Sequence, residues 1–140
     1  MNGDVSAAET LAQALRTIYR HVDVFHDEML QVTPKELGLL LTLDEHGPTR
    51  VKDLAQKAKL PLSTVSWTAD KMVGRKLLAR RPDADDRRAI RLALTRTGRA
   101  AVKAHYAVFD LIARTALDTL APDEGASVVR AVRKVADQLS

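Results

Sequence analysis

The sequence predicts a mainly α-helical protein with one small β-hairpin. Two short amphipathic helices follow each other within residues 51–74, and residues 89–94 alternate between bulky apolar side chains and smaller or charged ones. Longer apolar repeats with helical spacing lie on both sides of this stretch. A chain of 140 residues, of which 46% are hydrophobic, can bury a core. We therefore expect a single domain over residues 1–140.

The N-terminal part is predicted to form two helices. After a loose segment over residues 1–5, apolar side chains recur at alternating spacings of four and three up to about residue 31, which indicates one long helix. Thr33-Pro34-Lys35-Glu36 has the pattern of a capping box with proline at the first helical position, so a second helix begins there. This helix runs to about Glu45, and its many leucines predict a central position. The apolar repeat of the first helix is Leu11, Leu15, Ile18, Val22, Phe25 and Met29.

Residues 51–74 are predicted to form a helix-turn-helix. The first helix ends near Ala58, because the residue before Pro61 avoids the helical region. The second helix begins at Leu62 or Ser63 and turns an apolar stripe inward. Its outer faces then carry short polar side chains, an indole and one cation, a set that suits base edges and phosphates in a major groove. These outward residues are Ser63, Thr64, Ser66, Trp67, Thr68 and Lys71.

A β-hairpin is predicted directly after the helix-turn-helix. Leu77–Arg81 forms the first strand, and Pro82–Asp86 forms a turn-rich tip. A helix-turn-helix followed by a basic hairpin is a winged helix-turn-helix, here within residues 33–95, to which Thr49 can add a short third strand. The second strand of the hairpin carries Ile90, Leu92 and Leu94 on one face and Ala89, Arg91 and Ala93 on the other.

Positive charge is concentrated in the same stretch. The whole chain has 22 Lys and Arg against 18 Asp and Glu, a net charge of +4. Residues 50–99 hold 14 basic and 5 acidic residues, a net charge of +9, so the remainder of the chain has a net charge of −5. A nucleic-acid-binding surface has this distribution. A solvated charged face without a partner is the alternative interpretation.

The stretch from Leu77 to Arg99 resembles the wing of the MarR family of bacterial transcription regulators. In that family an Asp-Arg-Arg sequence leads into the second wing strand, which runs into Leu-Thr-x-x-Gly; here these are Asp86-Arg87-Arg88 and Leu94–Gly98. The resemblance implies a regulator, most often a repressor, that binds double-stranded DNA as a homodimer on a pseudo-palindromic site. It covers roughly residues 33–100, because three upstream segments also fit the family: Thr33–Glu36, Leu54-Ala55 and Ser63–Ser66.

Two positions depart from the family pattern. Trp67 stands in the second helix where the family usually has arginine or another polar residue. Its indole either stacks on a sugar or contacts a thymine methyl group, or it turns inward and packs. Lys76 stands where glycine is usual before the first wing strand, because the helix exit needs a left-handed residue. Either Lys76 adopts that conformation or the helix ends earlier, near Gly74.

The resemblance also implies roles for individual side chains in the DNA-binding lobe. Arg87 is expected to insert into a minor groove, and Asp86 is expected to hold Arg88 by a charge-assisted hydrogen bond. The side chains expected at the DNA backbone are Arg50, Lys52 and Lys71, together with Arg80 and Arg81, which alternatively support the base of the wing.

The terminal helices are predicted to form a separate layer over residues 5–31 and 96–140. Besides the N-terminal repeat, apolar seams occur in a helix over about Arg96–Leu120 and in a third helix beyond it. Three seams distant from the helix-turn-helix suggest burial against a second copy of the chain. A dimer would place two recognition helices about 34 Å apart, at adjacent major grooves. The C-terminal seams are Val108, Leu111, Ile112 and Thr115, and then Val128, Val132, Val135 and Leu139.

Members of the family commonly release DNA when a small phenolic or anionic molecule binds between the dimer helices and the DNA-binding lobe. The resemblance implies such an effector pocket here, at the first, second and fifth helices. Each candidate residue alternatively fills the core. The candidates are Tyr19, His21, Val22, Phe25, His26, Leu37, Leu41, His105 and Phe109.

The sequence argues against metal, thiol and catalytic chemistry. It contains no cysteine, which excludes disulfides, thiolate zinc sites and thiol-based redox sensing. His21 and His26 point to different faces of a helix, His46 lies near a loop and His105 is alone on a later helix, so we expect no metal site and no cofactor. No phosphate-binding loop or nucleophile elbow is present. We therefore expect that the protein is not an enzyme.

No signal peptide and no apolar run long enough to cross a bilayer is visible, which indicates a cytoplasmic protein without a membrane partner. Three other functions stay open: an architectural DNA-binding protein without an effector, a small enzyme that uses histidines and carboxylates, and a winged helix that binds protein. Preference for one operator over random DNA at fixed salt distinguishes the first. The missing catalytic spacings argue against the second, and the +9 stretch argues against the third.

Overall fold

A computed structural model describes the backbone of residues 2–140 and the side chains from residue 6 onward. The chain forms two compact units, one that ends at His105 and one that spans Tyr106–Ser140. The predicted functional division into residues 33–95 and the flanking helices stays a prediction. As far as the structure describes them, none of the helices is long and apolar enough to cross a membrane.

Helices dominate the first unit, and one three-stranded sheet accompanies them, as the sequence predicts. Helix α1 covers Asn2–Phe25, so it begins before the expected residue 6, and it continues as a π-helical turn over His26–Leu30. Met1 lies outside the described residues. The following elements are α2 (Pro34–His46), β1 (Thr49–Arg50), α3 (Val51–Ala58), α4 (Leu62–Gly74), β2 (Leu78–Pro82), β3 (Ile90–Leu94) and the first part of α5 (Arg96–Thr119).

Thr33 caps α2 as predicted, but the capping box forms only in part. Thr33 Oγ1 accepts a hydrogen bond from the Glu36 backbone N–H at 3.2 Å, and Pro34 lies in the first turn. The Glu36 carboxylate accepts a hydrogen bond from Nη1 of Arg75 at 2.7 Å. Because Arg75 directly follows α4, this ion pair joins the start of α2 to the end of α4.

Strand β3 lies at the centre of the sheet, between β1 and β2, and is antiparallel to both. Thr49 pairs with Leu92, which confirms the short third strand. The predicted alternation of β3 is wrong in two places, because Ile90 is 51% exposed whereas Ala93 is buried. Ile90 lies at the outer end of the hairpin, opposite Pro82, and the inner end of the central strand is covered on both faces.

The core of the first unit is built around α2. Leu39, Leu40 and Leu43 are at most 2% exposed, which confirms the central position of this helix. Leu54 of α3 and Met72 of α4 are fully buried in the same cluster. Burial of one such side chain contributes about 1.5–3 kcal/mol. The core therefore holds α4 in a fixed orientation relative to the sheet.

The second unit consists of the end of α5 and of α6 (Pro122–Leu139). A Cβ atom at the buried Gly125 would lie 3.2 Å from the Leu117 side chain, so the two helices approach closely there. Val22 and Val108 of the predicted seams are buried, but most other seam residues stay exposed in the single chain. The most exposed are Leu11, Leu15 and Ile18 in α1, Met29 in the π-helical turn, Leu111 in α5, and Val128, Val132, Val135 and Leu139 in α6.

Candidate nucleic-acid interface

One face of α4 is exposed and carries mostly polar side chains. Thr64 is partly buried, and Thr68 is only 4% exposed. The expectation that Thr68 lies on an outer face is therefore wrong, because it lies three positions after the buried Val65 and four before the buried Met72, on the inward stripe. The exposed face consists of Ser63, Ser66, Trp67, Asp70 and Lys71.

Trp67 points away from the core. Its side chain is 65% exposed, so the interpretation that it packs inward is wrong. One turn later, Nζ of Lys71 lies 4.4 Å from the centroid of the indole ring, within the range of a cation–π interaction. An open cavity of about 360 Å³ adjoins this position and is lined by Lys35, Ser63, Thr64, Trp67 and Thr68.

Lys35 is a candidate that the sequence analysis did not select. It lies in the first turn of α2, 28 positions before Ser63. Packing of α2 against α4 brings this cation to the same cavity as Trp67. In the sequence, Lys35 is part of a helix-capping pattern, and nothing local indicates that it lies near α4.

A buried carboxylate organises the tip of the wing. The Asp83 side chain is fully buried, and its Oδ2 accepts hydrogen bonds from Nε of Arg50 and Nε of Arg91, both at 2.7 Å. Its Oδ1 accepts from the backbone N–H groups of Asp85 and Asp86 at 2.8 and 3.3 Å. The hydrogen bonds from the two arginines hold the pKa of the Asp83 carboxyl well below its usual range, and the same contact raises the pKa of Arg50. Asp83 thereby joins the tip of the wing to β1 and β3.

Two arginine side chains are exposed beside this turn. Within the described residues, neither Arg87 nor Arg88 uses its side chain in a hydrogen bond or an ion pair. Asp86 Oδ1 accepts from the backbone N–H of Arg88 at 3.0 Å. The expected charge-assisted hydrogen bond between Asp86 and Arg88 therefore forms, but its donor is the Arg88 backbone, and the Asp86 carboxylate closes a turn with the residue two positions later. Both guanidinium groups remain accessible.

An ion pair joins the base of the wing to α4. Arg80 of β2 pairs with Asp70 on the exposed face of α4, in keeping with the expected support of the wing base. Arg81 and Lys52 are exposed, so both are accessible to a partner. Arg50 is 42% exposed in its side chain, although its Nε is bound to Asp83. The contacts of these residues with DNA stay predictions.

The wing begins at a residue in the left-handed conformation. Helix α4 ends at Gly74 and Lys76 has φ +62°, so the two alternatives drawn from the sequence occur together. The Leu77 N–H donates to the Met72 carbonyl at 2.9 Å, and the Lys76 N–H donates to the Val73 carbonyl at 3.0 Å. These two bonds form a Schellman motif, in which glycine is the usual left-handed residue.

The end of the wing closes on the same corner. Thr95 Oγ1 donates to the Lys76 carbonyl at 2.6 Å and accepts from the Gly98 N–H at 3.0 Å, and the Thr95 backbone N–H donates to the Leu77 carbonyl at 3.2 Å. A Cβ atom at Gly98 would lie 2.2 Å from the Leu77 carbonyl oxygen, which is too close for any residue except glycine. The Leu-Thr-x-x-Gly pattern therefore marks the point where α5 begins against the first wing strand.

His26 and His105 form a hydrogen-bonded pair within the first unit. His26 Nε2 and His105 Nδ1 are 2.7 Å apart, and the ring centroids are 4.8 Å apart. His105 has no other histidine on its own helix, as expected, and the fold pairs it with a residue 79 positions earlier. Such a bond requires one protonated and one unprotonated nitrogen. Burial, and then the charge of His26, lowers the pKa of His105.

The other candidate effector-binding residues occupy different environments. Val22 is buried, Phe25, Leu37 and Leu41 are half-buried, and Tyr19, His21 and Phe109 are exposed. Within the first unit, an open groove of about 340 Å³ is lined by His26 and Leu37 together with Asp23, Val24, Asp27, Val32, Thr33 and Pro34. Across the described part of the chain, no group of three or more His, Asp or Glu side chains is arranged to hold a metal ion.

Known proteins share this sequence pattern. A family model described as MarR family matches residues 32–90. The chain is 34% identical over 88 residues to the HTH-type transcriptional repressor MdtR of Bacillus subtilis, a match that covers 56% of this chain and 57% of MdtR. It is 25% identical over 139 residues to the HTH-type transcriptional repressor NicR of Pseudomonas putida, which covers 97% of this chain and 88% of NicR. The chain thus matches little more than half the length of MdtR and most of NicR.

Solved structures share the fold. The crystal structure of YusO from Bacillus subtilis has a TM-score of 0.77 and 25% identity, and the match covers 94% of this chain and 96% of YusO. BpsR from Bordetella bronchiseptica, whose DNA binding is regulated by 6-hydroxynicotinic acid, has a TM-score of 0.54 and 28% identity, with 91% and 98% of the two chains covered. The predicted fold class is confirmed: a mainly helical winged helix-turn-helix with a small three-stranded sheet.

Proposed function

The chain belongs to the MarR family of transcriptional regulators, and from this premise we propose that it is a repressor that binds a pseudo-palindromic operator as a homodimer in the cytoplasm. The observation that carries the proposal is the joint exposure of a polar helix face and a cationic wing on one unit. Helix α4 exposes Ser63, Ser66 and Lys71, and the wing exposes Arg87 and Arg88. A helix of this kind fits a major groove, and a cation on the wing is attracted to the negative potential of a minor groove.

The charge of the lobe supplies the affinity in this proposal. Lys52, Lys71 and Arg81 are exposed around α4 and the wing, and Lys35 adds a cation from α2. Each cation that neutralises a phosphate releases a counterion, so affinity should fall steeply as salt rises. Both named relatives are repressors, which supports repression rather than activation.

The second copy of the chain would cover the exposed apolar seams. Exposed apolar rows along α1, α5 and α6 resemble a surface that is buried on assembly. We expect a particle of twice the chain mass in sedimentation velocity. Val132→Asp, on the apolar face of α6, should shift it toward the monomer, whereas the adjacent Arg133→Asp should not. A monomer at all concentrations would contradict the dimer.

The proposal also includes an aromatic effector that releases the protein from DNA. BpsR supplies a candidate class, and the groove at His26 and Leu37 supplies a candidate place. Because Asp23 and Asp27 line this groove, we expect a neutral aromatic molecule to bind there better than an anionic one. Adding 6-hydroxynicotinic acid and, in parallel, its amide to the DNA complex tests both forms. If neither compound releases DNA, regulation by this acid or its amide is refuted.

Selection of duplexes from a random library at fixed salt tests the main proposal. We expect an enriched, partly palindromic sequence that binds about 10³-fold or more tightly than random DNA. Equal affinity for all duplexes would instead indicate an architectural protein. A purified protein that binds no duplex even at low ionic strength would refute the proposed function.

A further inference from the structure

We propose that Trp67 contacts the 5-methyl group of a thymine in the major groove, and that this contact sets the base preference at one position of each half-site. The inference rests on the proposed function, because it places α4 in a DNA groove. It concerns one of the two positions at which this chain departs from its family pattern.

The position of Trp67 on α4 favours a base over the DNA backbone. It lies in the second turn of the helix, on the same exposed face as Ser63 and Ser66. In helix-turn-helix proteins the N-terminal residues of the second helix contact base edges. The Asp70–Arg80 ion pair joins the next turn of the helix to the wing, which leaves the first two turns as the part available for the groove floor.

The chemistry of the indole selects the group that it contacts. Tryptophan has one hydrogen-bond donor and no acceptor, and most of its surface is apolar. In the major groove, bases present donors, acceptors and one apolar group, the thymine methyl. A side chain that is 65% exposed in the free protein has apolar area to bury against that methyl.

Lys71 restricts how the ring is presented. Its Nζ lies 4.4 Å from the ring centroid, so one face of the indole is covered by a cation. A base therefore meets the other face or the edge of the ring. The cavity of about 360 Å³ beside Trp67 leaves room for a base edge without movement of the core.

Removal of the methyl group alone tests the contact. Binding sites are first selected from random DNA with the wild-type protein and with Trp67→Ala. A thymine that is enriched only by the wild-type protein is then replaced by deoxyuridine in a synthetic operator. The wild-type protein should lose about fourfold in affinity, the amount expected for one methyl group that leaves an apolar contact. Trp67→Ala should bind the two operators equally. Trp67→Phe, which keeps an apolar ring, should retain part of the difference.

Two control variants on the same face separate this effect from general weakening. Ser66→Ala should retain the full difference between thymine and deoxyuridine. Lys71→Gln should bind more weakly and with a shallower salt dependence, but it should also retain most of the difference. Circular dichroism should show that each variant is folded, since all three side chains are exposed.

The outcomes distinguish this inference from the proposed function. If the wild-type protein selects no sequence, the proposed function fails first. If it selects a sequence but Trp67→Ala keeps the same preference, or if deoxyuridine lowers both affinities equally, the thymine contact is refuted. Enrichment of guanine at the Trp67-dependent position would also refute it and would indicate a hydrogen bond from the indole N–H instead.

Discussion

Nε of Arg50 donates a hydrogen bond of 2.7 Å to the buried carboxylate of Asp83, although the two residues are 33 positions apart. Arg50 is the last residue of β1, and Asp83 begins the turn at the tip of the wing. The bond therefore fixes the wing relative to the start of α3. The ionised carboxylate accepts four hydrogen bonds, from Arg50, Arg91 and two backbone N–H groups of the turn. Protonation replaces part of this acceptor capacity with an O–H donor, so a neutral Asp83 holds the wing less firmly.

Acidification should destabilise the protein through Asp83. The pKa of this carboxyl in the folded chain lies below its ordinary value of 3.8, so the unfolded chain binds the proton more readily. The ionised Asp83 carboxylate makes its full contribution to the free energy of unfolding above about pH 4. This contribution is lost as the pH falls toward the pKa of the group in the folded chain. Urea unfolding at a series of pH values should show this decline in the wild type and a smaller one in Asp83→Asn. Asp85→Asn, which changes an exposed carboxylate nearby, is the control and should decline as the wild type does. Equal declines in the wild type and Asp83→Asn would show that the acid sensitivity does not come from Asp83.

Arg87→Ala should weaken DNA binding without affecting the fold. The exposed side chain has no partner among the described residues to lose, and its removal should cost about 1–3 kcal/mol of binding free energy. Fluorescence anisotropy across a salt series should also show a smaller slope, by about one phosphate contact. Arg133→Ala in α6 removes an equal charge far along the chain and should leave both quantities unchanged. Unchanged affinity and slope in Arg87→Ala would show that the wing does not contact DNA.

Gly98→Ala should destabilise the corner where the wing meets α5. The new Cβ would lie 2.2 Å from the Leu77 carbonyl oxygen, a clash that requires backbone movement and costs about 1–3 kcal/mol of unfolding free energy. Gly38→Ala in α2 is the matched control, because apart from the local backbone of its own helix no atom lies within 4 Å of its new Cβ. The control should gain about 0.5–1 kcal/mol from helix propensity. Equal stability of the two variants, measured by chemical denaturation, would contradict this geometry.

Mild acid should lower stability through His105. Burial and the charge of His26 lower the pKa of His105 below its ordinary value of 6.5, so the folded chain favours the neutral ring. Its contribution to stability is complete above about pH 6.5 and is lost as the pH falls toward the folded pKa. Unfolding midpoints between about pH 8 and pH 5 should decline less in His105→Gln than in the wild type. His46→Gln, which changes an exposed histidine, is the control and should show the same decline as the wild type. If the midpoint of His105→Gln declines as much as that of the wild type, the prediction is refuted.

The sequence predicts the fold class and most helix and strand limits because the strongest signals are local. Thr33 bonds to the third residue after it, and Pro61 restricts the residue before it. The wing is identified from the sequence of Asp86–Gly98, because the turn and strand residues in this stretch determine the conformation of the backbone close to them. The concentration of charge in residues 50–99 is likewise a property of composition.

Contacts between distant residues were decided only by the tertiary structure. In the sequence, Asp83 is an ordinary turn residue and His105 has no histidine near it. The fold places Arg50 beside Asp83 and His26 beside His105. The pairing of Arg75 with Glu36, 39 positions apart, likewise replaced half of the predicted capping box. No periodicity specifies such pairs, because each depends on how separate elements pack.

Within α4, too, the sequence predicts one part of the result and tertiary packing decides the other. Helical periodicity predicts that the helix has an inner and an outer face, but one residue turns by about 100°, so positions at the border are ambiguous. Packing against α2 and the sheet buried Thr68 and left Trp67 exposed. The sequence by itself therefore determined that this chain carries a winged helix with a cationic surface. The tertiary structure decided which side chains of that surface face outward, because burial is a property of the assembled core.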